Sequence, residues 1–430
     1  MINTLVDMFK NKEIRQRILF TLAMLFVFRL GAAITVPMVN TAKLMQGLAD
    51  NSLFSMMNVL GGGMLEKFSI FALGVGPYIT ASIIVQLLAM DVIPALTEMS
   101  KSGATGKMKM DRITRYVGVA LAFIQAFSMT YGFDISYGLL INPSIANYLY
   151  ISTILTAGTM FAMWLGDQIT VKGIGNGISM LIFTGIVSNL PWHFWSAFQS
   201  LVDTSNSQAT FNGILSFGAY VLVYVAIIVL VIFMETAVRK IPIQYTSSSV
   251  KRGGNDMTFL PLKINSAGVV PVIFASSMLM APVTLMSFME QTDLVRKITN
   301  FLSFSSPTGL AMYLILTVVF TFFYANLQVD PEKISENLNK SGTYIPGVRP
   351  GKETTEYLKK VLNRITVLGA AFITFIAALP HLIPMFTTLP NTISVGGTGI
   401  IIVVGVAMET MKQLKGQVTS RSYRGFVGKR

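Results

Sequence analysis

The sequence predicts an all-α integral membrane protein, on three observations. Apolar runs of about 20 residues, long enough to cross a bilayer as helix, recur ten times along the 430 residues. Charged residues make up only 12% of the chain and hydrophobic ones 52%, whereas soluble domains carry roughly 25% charge. Lys and Arg number 33 against 20 Asp and Glu, a net charge of +13, and they gather between alternate runs. The first two observations exclude a disordered chain and argue against a soluble globular enzyme. On such a chain the third reads as basic cytoplasmic loops rather than nucleic-acid binding.

The runs fall at about 18–38, 69–90, 115–133, 148–166, 176–196, 213–236, 267–289, 309–329, 365–385 and 395–413. Basic residues precede the first, as in a signal peptide. Its apolar stretch is too long for one and no small-residue cleavage site follows, so it reads as a retained span. Between the first two runs, residues 53–68 are apolar but too short to cross, and Gly61, Gly62 and Gly63 interrupt them. Two readings stay open: an amphipathic helix on the outer surface, or a re-entrant half-helix filling a pore, tolerated where it is buried in protein or lines a cavity. The second run itself contains Pro77.

With the N-terminus inside, only Lys43, Lys67, Arg296 and Lys297 fall in outer loops and Arg29 within the first run; the other 28 of the 33 basic residues lie in inner segments. Both termini are therefore expected in the cytoplasm. Trp192 and Trp195 at the outer end of the fifth run, and Trp164 near the inner end of the fourth, fit interfacial belts. The inner segments near 238–266 and 330–364 are long, basic and punctuated by Pro and Gly. They read as loops, and two such projections on one side suggest a docking surface for a cytoplasmic partner. Glu235 and Arg239, four apart, are expected to pair at the interface.

Chemistry-bearing residues are scarce. There is no cysteine, and His193 and His381 are the two histidines, so no metal site, cofactor or covalent catalysis is expected. No carboxylate lies deep in a run, which weighs against an ion-coupled carrier. No HExxH or GxxxxGK[ST] occurs; Gly103 to Lys107 is too short for the latter. An intramembrane charge such as Arg29 is a functional candidate by default, and here capping neighbouring carbonyls or holding the bundle is the favoured role. Val75 and Ile79, and Ile178 and Ile182, are β-branched pairs four apart in mid-run. They could line a dewetting constriction, although such pairs are usually packing.

Four local sequences add to this reading: Phe71-Ala-Leu-Gly-Val-Gly-Pro-Tyr-Ile79; Gly173-Ile-Gly-Asn-Gly-Ile-Ser179; Pro261-Leu-Lys-Ile-Asn265 with Ala267-Gly268-Val269; and Lys340-Ser-Gly-Thr-Tyr-Ile-Pro-Gly-Val-Arg-Pro-Gly351. In order and topology, from about residue 15 to 420, the chain resembles the bacterial SecY (SecY/Sec61-alpha) family of protein-translocase channel subunits. The resemblance implies two inverted five-helix halves, roughly 1–200 and 201–430, and a channel that passes unfolded polypeptide across the cytoplasmic membrane and releases apolar segments into lipid. It implies a pore ring of Val75, Ile79, Ile178, Ile182, Ile273 and Ile402, one member being Val where the family often has Ile. The broken segment resembles a plug, including Met56, Met57, Val59, Leu60, Gly61, Gly62 and Gly63.

Thr80, Gln125 and Asn265 match polar positions at a lateral gate between the second and third spans and the seventh and eighth. Arg239, Lys240 and Arg349 match loop tips where a motor or ribosome docks, with Lys240 where the family often has Arg and Pro242 added. The implied partners are the small membrane subunits SecE and SecG, the motor ATPase SecA, the ribosome, signal peptides, unfolded substrates and membrane lipids. On composition alone two rivals remain: a secondary transporter of a small solute, and a structural membrane scaffold.

Overall fold

Ten helices of the computed structural model coincide with the ten apolar runs. The structure describes residues 11–44, 62–90, 92–202, 207–245, 258–287, 292–303, 306–386 and 397–427. The ten are α1 Lys12–Ala33, α2 Gly76–Leu88, α4 Gly103–Tyr137, α5 Ile145–Lys172, α6 Gly177–Leu201, α7 Ser207–Thr236, α8 Val270–Ser287, α10 Pro307–Gln328, α12 Lys352–Phe386 and α13 Gly397–Val427. Shorter helices among the described residues include α3 Pro94–Lys101, α9 Asp293–Leu302 and α11 Pro331–Lys340. Among the described residues, six helical stretches are long and apolar enough to cross a membrane by length and composition, while Gly76–Leu88 and Val270–Leu279 are shorter apolar helices. Leu22, Phe26 and Leu30 on α1, and Leu222, Val229 and Phe233 on α7, are exposed. Such apolar faces suit lipid, not water.

Glycines set where the helices meet. A Cβ on Gly177 would lie 1.8 Å from the Gly166 carbonyl oxygen, so α5 and α6 cross backbone to backbone. The motif before α6 is explained locally. Gly175 sits at φ +79°, the Ile174 N–H donates to Thr21 Oγ1 of α1 at 3.0 Å, and the Asn176 side chain caps the Ile178 and Ser179 N–H groups.

The second span departs from expectation. Helix begins only at Gly76, and residues 62–75 form turns. At about 1.5 Å per residue, the 13 residues of α2 are too short to cross alone. Tertiary packing overrides helix propensity here. Phe71 stacks on Phe28 and on Phe161, Gly74 adopts φ +54°, and a Cβ on Gly158 would meet the Ile70 carbonyl at 1.9 Å. Ser69 also bridges extended Thr35.

The two basic inner segments contain strands as well as loops. β1 Val238–Tyr245 pairs antiparallel with β2 Thr258–Lys263, and its end pairs with β3 Thr343–Tyr344, in the order β2-β1-β3. Alternation drives this: Ile241 and Leu262 are buried with Leu338, Ile345, Leu358 and Leu362 in a core of their own. Pro242 and Pro261 are tolerated because β3 reaches only Gln244 and Tyr245, leaving open strand edges beside both prolines.

Candidate functional site

The six apolar residues assigned to a ring come from four helices and the residue that caps α2. Val75 is buried in a cluster with Phe28, Met64, Phe71, Leu165 and Leu181, and Ile79, Ile178 and Ile182 pack against it. Ile402 is buried in a neighbouring cluster with Ile186 and Val406, against which Ile182 and Ile273 pack. Ile182 belongs to both shells, so all six positions join through it. Gly399 and Gly405 let α13 come close: added Cβ atoms would lie 3.3 Å from Ile186 and 3.2 Å from Val269.

Of the plug residues, Met56, Met57, Val59, Leu60 and Gly61 lie outside the described residues. Gly62 and Gly63 are described, and both lie in turn, at φ +70° and +77°. The Gly62 carbonyl accepts from Arg29 Nη1 at 3.4 Å, the carbonyl contact expected of that intramembrane charge. A Cβ on Gly62 would lie 2.5 Å from the Gly185 Cα, so this segment rests on the α6 backbone. Gly63 lies against the Asn189 side chain. Next in the chain, Met64 inserts into the Val75 cluster. The end of the broken segment is thus held by α1 and α6, with Met64 in the cluster that contains Val75 and against which Ile79, Ile178 and Ile182 pack.

The polar residues assigned to the gate are not joined by the described hydrogen bonds. Thr80 donates to the Gly76 carbonyl within α2, at 3.2 Å. Gln125 is half-buried on α4. Asn265 is buried, donates through Nδ2 to the Glu235 carboxylate, and accepts from the Gly268 N–H at 3.1 Å. That arrangement corrects the expected Glu235–Arg239 pair. Helix α7 ends at Thr236, so Arg239 lies on strand β1 rather than one helical turn beyond Glu235. Lys412 of α13 donates to the Glu235 carbonyl at 3.3 Å, so one buried position links α7, the entry to α8, and α13.

A polar link across the expected seam does exist, and sequence reasoning missed it. Tyr324 of α10 donates to Gln86 Oε1 of α2 at 2.7 Å, and Gln86 Nε2 donates to Ser82. Around it, Ile83 of α2 is buried with Val272, Phe274, Leu279, Phe320 and Tyr324. The available signal was an uncompensated Gln within an apolar run.

The docking residues lie on the sheet and its adjoining turn. Arg239 and Lys240 are exposed on β1, opposite Leu262 and Pro261. Arg349 projects 87% exposed, with Glu353 3.8 Å away. Its turn is built by Gly347 at φ +81° and Gly351 at φ +99°, and Thr354 Oγ1 donates to the Arg349 carbonyl at 2.8 Å. One small sheet therefore unites the two basic segments.

Comparison with known proteins agrees with this architecture. The family model described as SecY matches residues 69–411. The protein translocase subunit SecY of Bacillus subtilis (strain 168) is 47% identical over 431 residues, covering 99% of this chain and 100% of that one. The corresponding subunit of Staphylococcus carnosus (strain TM300) is 46% identical over 436 residues, covering all of both chains. Among solved structures, "The structure of a protein conducting channel" superposes with a TM-score of 0.67 at 18% identity, covering 93% of this chain and 91% of that one. Sec61 in the canine ribosome-channel complex from the endoplasmic reticulum gives 0.64 at 17% identity with the same coverage. By full-length identity, by the matched family model and by fold, this chain belongs to the SecY family.

Proposed function

We propose that this chain is the channel subunit of a bacterial protein translocase. Unfolded polypeptide would pass through the ring of Val75, Ile79, Ile178, Ile182, Ile273 and Ile402. The observation that carries this reading is the convergence of those apolar side chains, from separate helices, around the clusters that also hold Met64 of the broken segment. A narrow apolar ring cannot compensate an ion for lost hydration. It can part around a chain that brings its own side chains, because dispersion contacts are non-directional. The comparisons lend no support to a solute transporter. The chain supplies a path rather than a reaction, and energy comes from a partner.

Lateral release fits the seam between α2 and α4 on one side and α8 and α10 on the other. The sheet bearing Arg239 and Lys240, with the nearby turn bearing Arg349, is the surface offered to a motor such as SecA or to a ribosome; SecE, SecG and signal peptides are further expected partners. On this reading the sheet and both termini face the cytoplasm, which the distribution of basic residues supports. Two halves, 1–200 and 201–430, are supported by the most extensive packing falling within each, while α6 on α13, α6 on α7, and α2 and α4 on α8 join them. In the first, α2 packs on α4, α4 on α5, α5 on α6, and α1 on α6; in the second, α8 packs on α10, α10 on α12, α12 on α13, and α7 on α13.

The test uses the cysteine-free background. A cysteine at Ile182 is paired with one in a secretory polypeptide stalled part-way across. A disulfide at Ile182, but not at exposed Trp192 on the same helix, is expected. Translocation without a crosslink at Ile182 would place the path elsewhere.

A further inference from the structure

Helix α9, Asp293–Leu302, joins α8 to α10 at the end of the bundle opposite the sheet, since α10 runs from it toward α11 and β3. Its ten residues separate into three faces when placed at 100° intervals. Val295, Thr299 and Leu302 are half-buried, and Leu302 packs on the apolar core shared by α8 and α10. Asp293, Arg296, Lys297 and Asn300 form an exposed polar face. Leu294, Ile298 and Phe301 form the third face, and it is open: they are 67%, 36% and 54% exposed.

The helix is held in that orientation. Thr308 Oγ1 of α10 donates to the Phe301 carbonyl at 3.2 Å. A Cβ on Gly309 would lie 2.1 Å from the Ser303 carbonyl, so the chain leaves α9 in backbone contact with the start of α10. The open apolar face therefore cannot roll inward without breaking this exit. It is a fixed feature, beside helices whose own apolar residues, Met278 on α8 and Met312 and Ile315 on α10, are also exposed.

We propose that α9 is an interfacial lipid-binding helix: Leu294, Ile298 and Phe301 enter the bilayer surface while Arg296 and Lys297 hold phosphate-bearing anionic headgroups. Two observations select lipid over other occupants. The two helices that α9 joins also expose apolar side chains, Met278 on α8 and Met312 and Ile315 on α10. In addition, the basic pair flanks the polar arc, one residue on each side of Asn300 and Asp293, where extended basic side chains reach headgroups from a helix lying in the interface plane. Because α8 and α10 border the seam proposed for lateral release, α9 ties that seam to the lipid around it. The inference rests on the membrane character of the family, not on the ring assignment.

Single cysteines at Leu294, Phe301, Asn300 and Ile315, each carrying an environment-sensitive fluorophore, test it in the full chain. The protein is reconstituted in phosphatidylcholine vesicles with or without phosphatidylglycerol. Labels at 294 and 301 are expected to be quenched by acyl-chain-brominated lipid and shielded from iodide, and the label at 300 to show the reverse. Phosphatidylglycerol is expected to deepen lipid quenching at 301, and Arg296→Gln with Lys297→Gln to abolish that increment, about fivefold in local anionic-lipid attraction per charge. Equal iodide access at 300 and 301 would overturn the proposal. So would exclusion of both quenchers from 301, which would mean a protein partner covers the face. An increment that survives loss of both charges would overturn the headgroup assignment. The Ile315 label reports bilayer insertion independently, so failure of α9 is distinguishable from failure of the membrane reading.

Discussion

Replacing Gly62 with alanine is expected to unseat the segment that rests against the ring. The cost can be worked from geometry. Gly62 sits at φ +70°, where an L side chain loses about 1–2 kcal/mol. The new Cβ would stand 2.5 Å from Gly185 Cα and 2.8 Å from its carbonyl carbon and oxygen, and helix backbone cannot rotate away. The segment must withdraw, and a gap of about 0.5–1 Å forfeits a quarter to a half of each dispersion contact it makes. For Met64, buried among Val75 and Phe71, that adds about 1–2 kcal/mol. The sum, about 3 kcal/mol, is roughly a hundredfold. A resting equilibrium of about 100 to 1 for the seated state would fall to near parity. The assay is ion conductance of the purified channel without substrate, beside a check that the variant stays monodisperse in detergent. Gly63→Ala supplies the comparison. It shares the positive φ, but its Cβ would meet the movable end of Asn189 at 3.0 Å, so strain alone remains, a shift of about tenfold, and the leak should be roughly fivefold smaller. A well-folded Gly62→Ala channel as tight as the parent, or tighter than Gly63→Ala, would refute the seat.

Polar replacement of Ile182 and Ile273, which pack on the same cluster, should wet the constriction and raise resting conductance; unchanged conductance would sink the ring assignment. Tyr324→Phe removes the hydroxyl bonded to Gln86 and should lower the resistance of the seam by about 0.6–2 kcal/mol. Export of a reporter with a weakly apolar signal segment should rise, and no gain would place the latch elsewhere. Glu235→Ala strips Asn265 of its acceptor and should destabilise the folded protein by about 1–3 kcal/mol, with Glu235→Gln costing less because its Oε1 can still accept; thermal unfolding in detergent ranks them. At Asp330, burial opposes the charge, but hydrogen bonds from the Lys333 N–H and ammonium, the Lys333 charge and the Glu332 N–H outweigh it, holding the carboxyl below its usual range. Its contribution to the α11 cap is therefore full above about pH 4 and lost as pH falls through the depressed value. Amide exchange in 331–340 should quicken on acidification, and Asp330→Ala should be fast already at neutral pH.

The spans were legible because crossing a bilayer demands length and apolarity, which any window of sequence displays. The start of α2 was not. Phe71 lies in an apolar run that favours helix, and its stacking between Phe28 and Phe161, with the Gly158–Ile70 approach and the Ser69–Thr35 bridge, comes from segments distant in sequence. The strand at 238–245 was obscured by Pro242 and by basic residues that read as loop, while the Ile241 and Ile243 alternation carried the real signal. Glu235 looked like half of a helical ion pair because sequence spacing does not show that α7 stops at Thr236. Spacing offered Val75, Ile79, Ile178 and Ile182 without separating them from packing, and the full ring with Ile273 and Ile402 was nameable only through resemblance. Ile182 bears no mark separating it from other buried isoleucines until α2, α6, α8 and α13 are brought together.

The seam differs from the glycine crossings of the first five spans in the kind of force that holds it. Within the first half, α5 and α6 meet at Gly166 and Gly177 with backbone touching backbone, and α5 meets the stretch before α2 in the same way at Gly158 and Ile70. A close crossing of that kind cannot be replaced by lipid, since no acyl chain fits where a single Cβ does not. Across the seam, α2 meets α8 and α10 through Ile83, Val272, Phe274 and Leu279, with the Gln86–Tyr324 bond as its described polar link. In a membrane such apolar contacts gain nothing from the hydrophobic effect, because lipid is as apolar as they are. An entering apolar helix can substitute for each of them, leaving about one hydrogen bond to be overcome. The halves are therefore expected to part at this seam while each stays packed within itself.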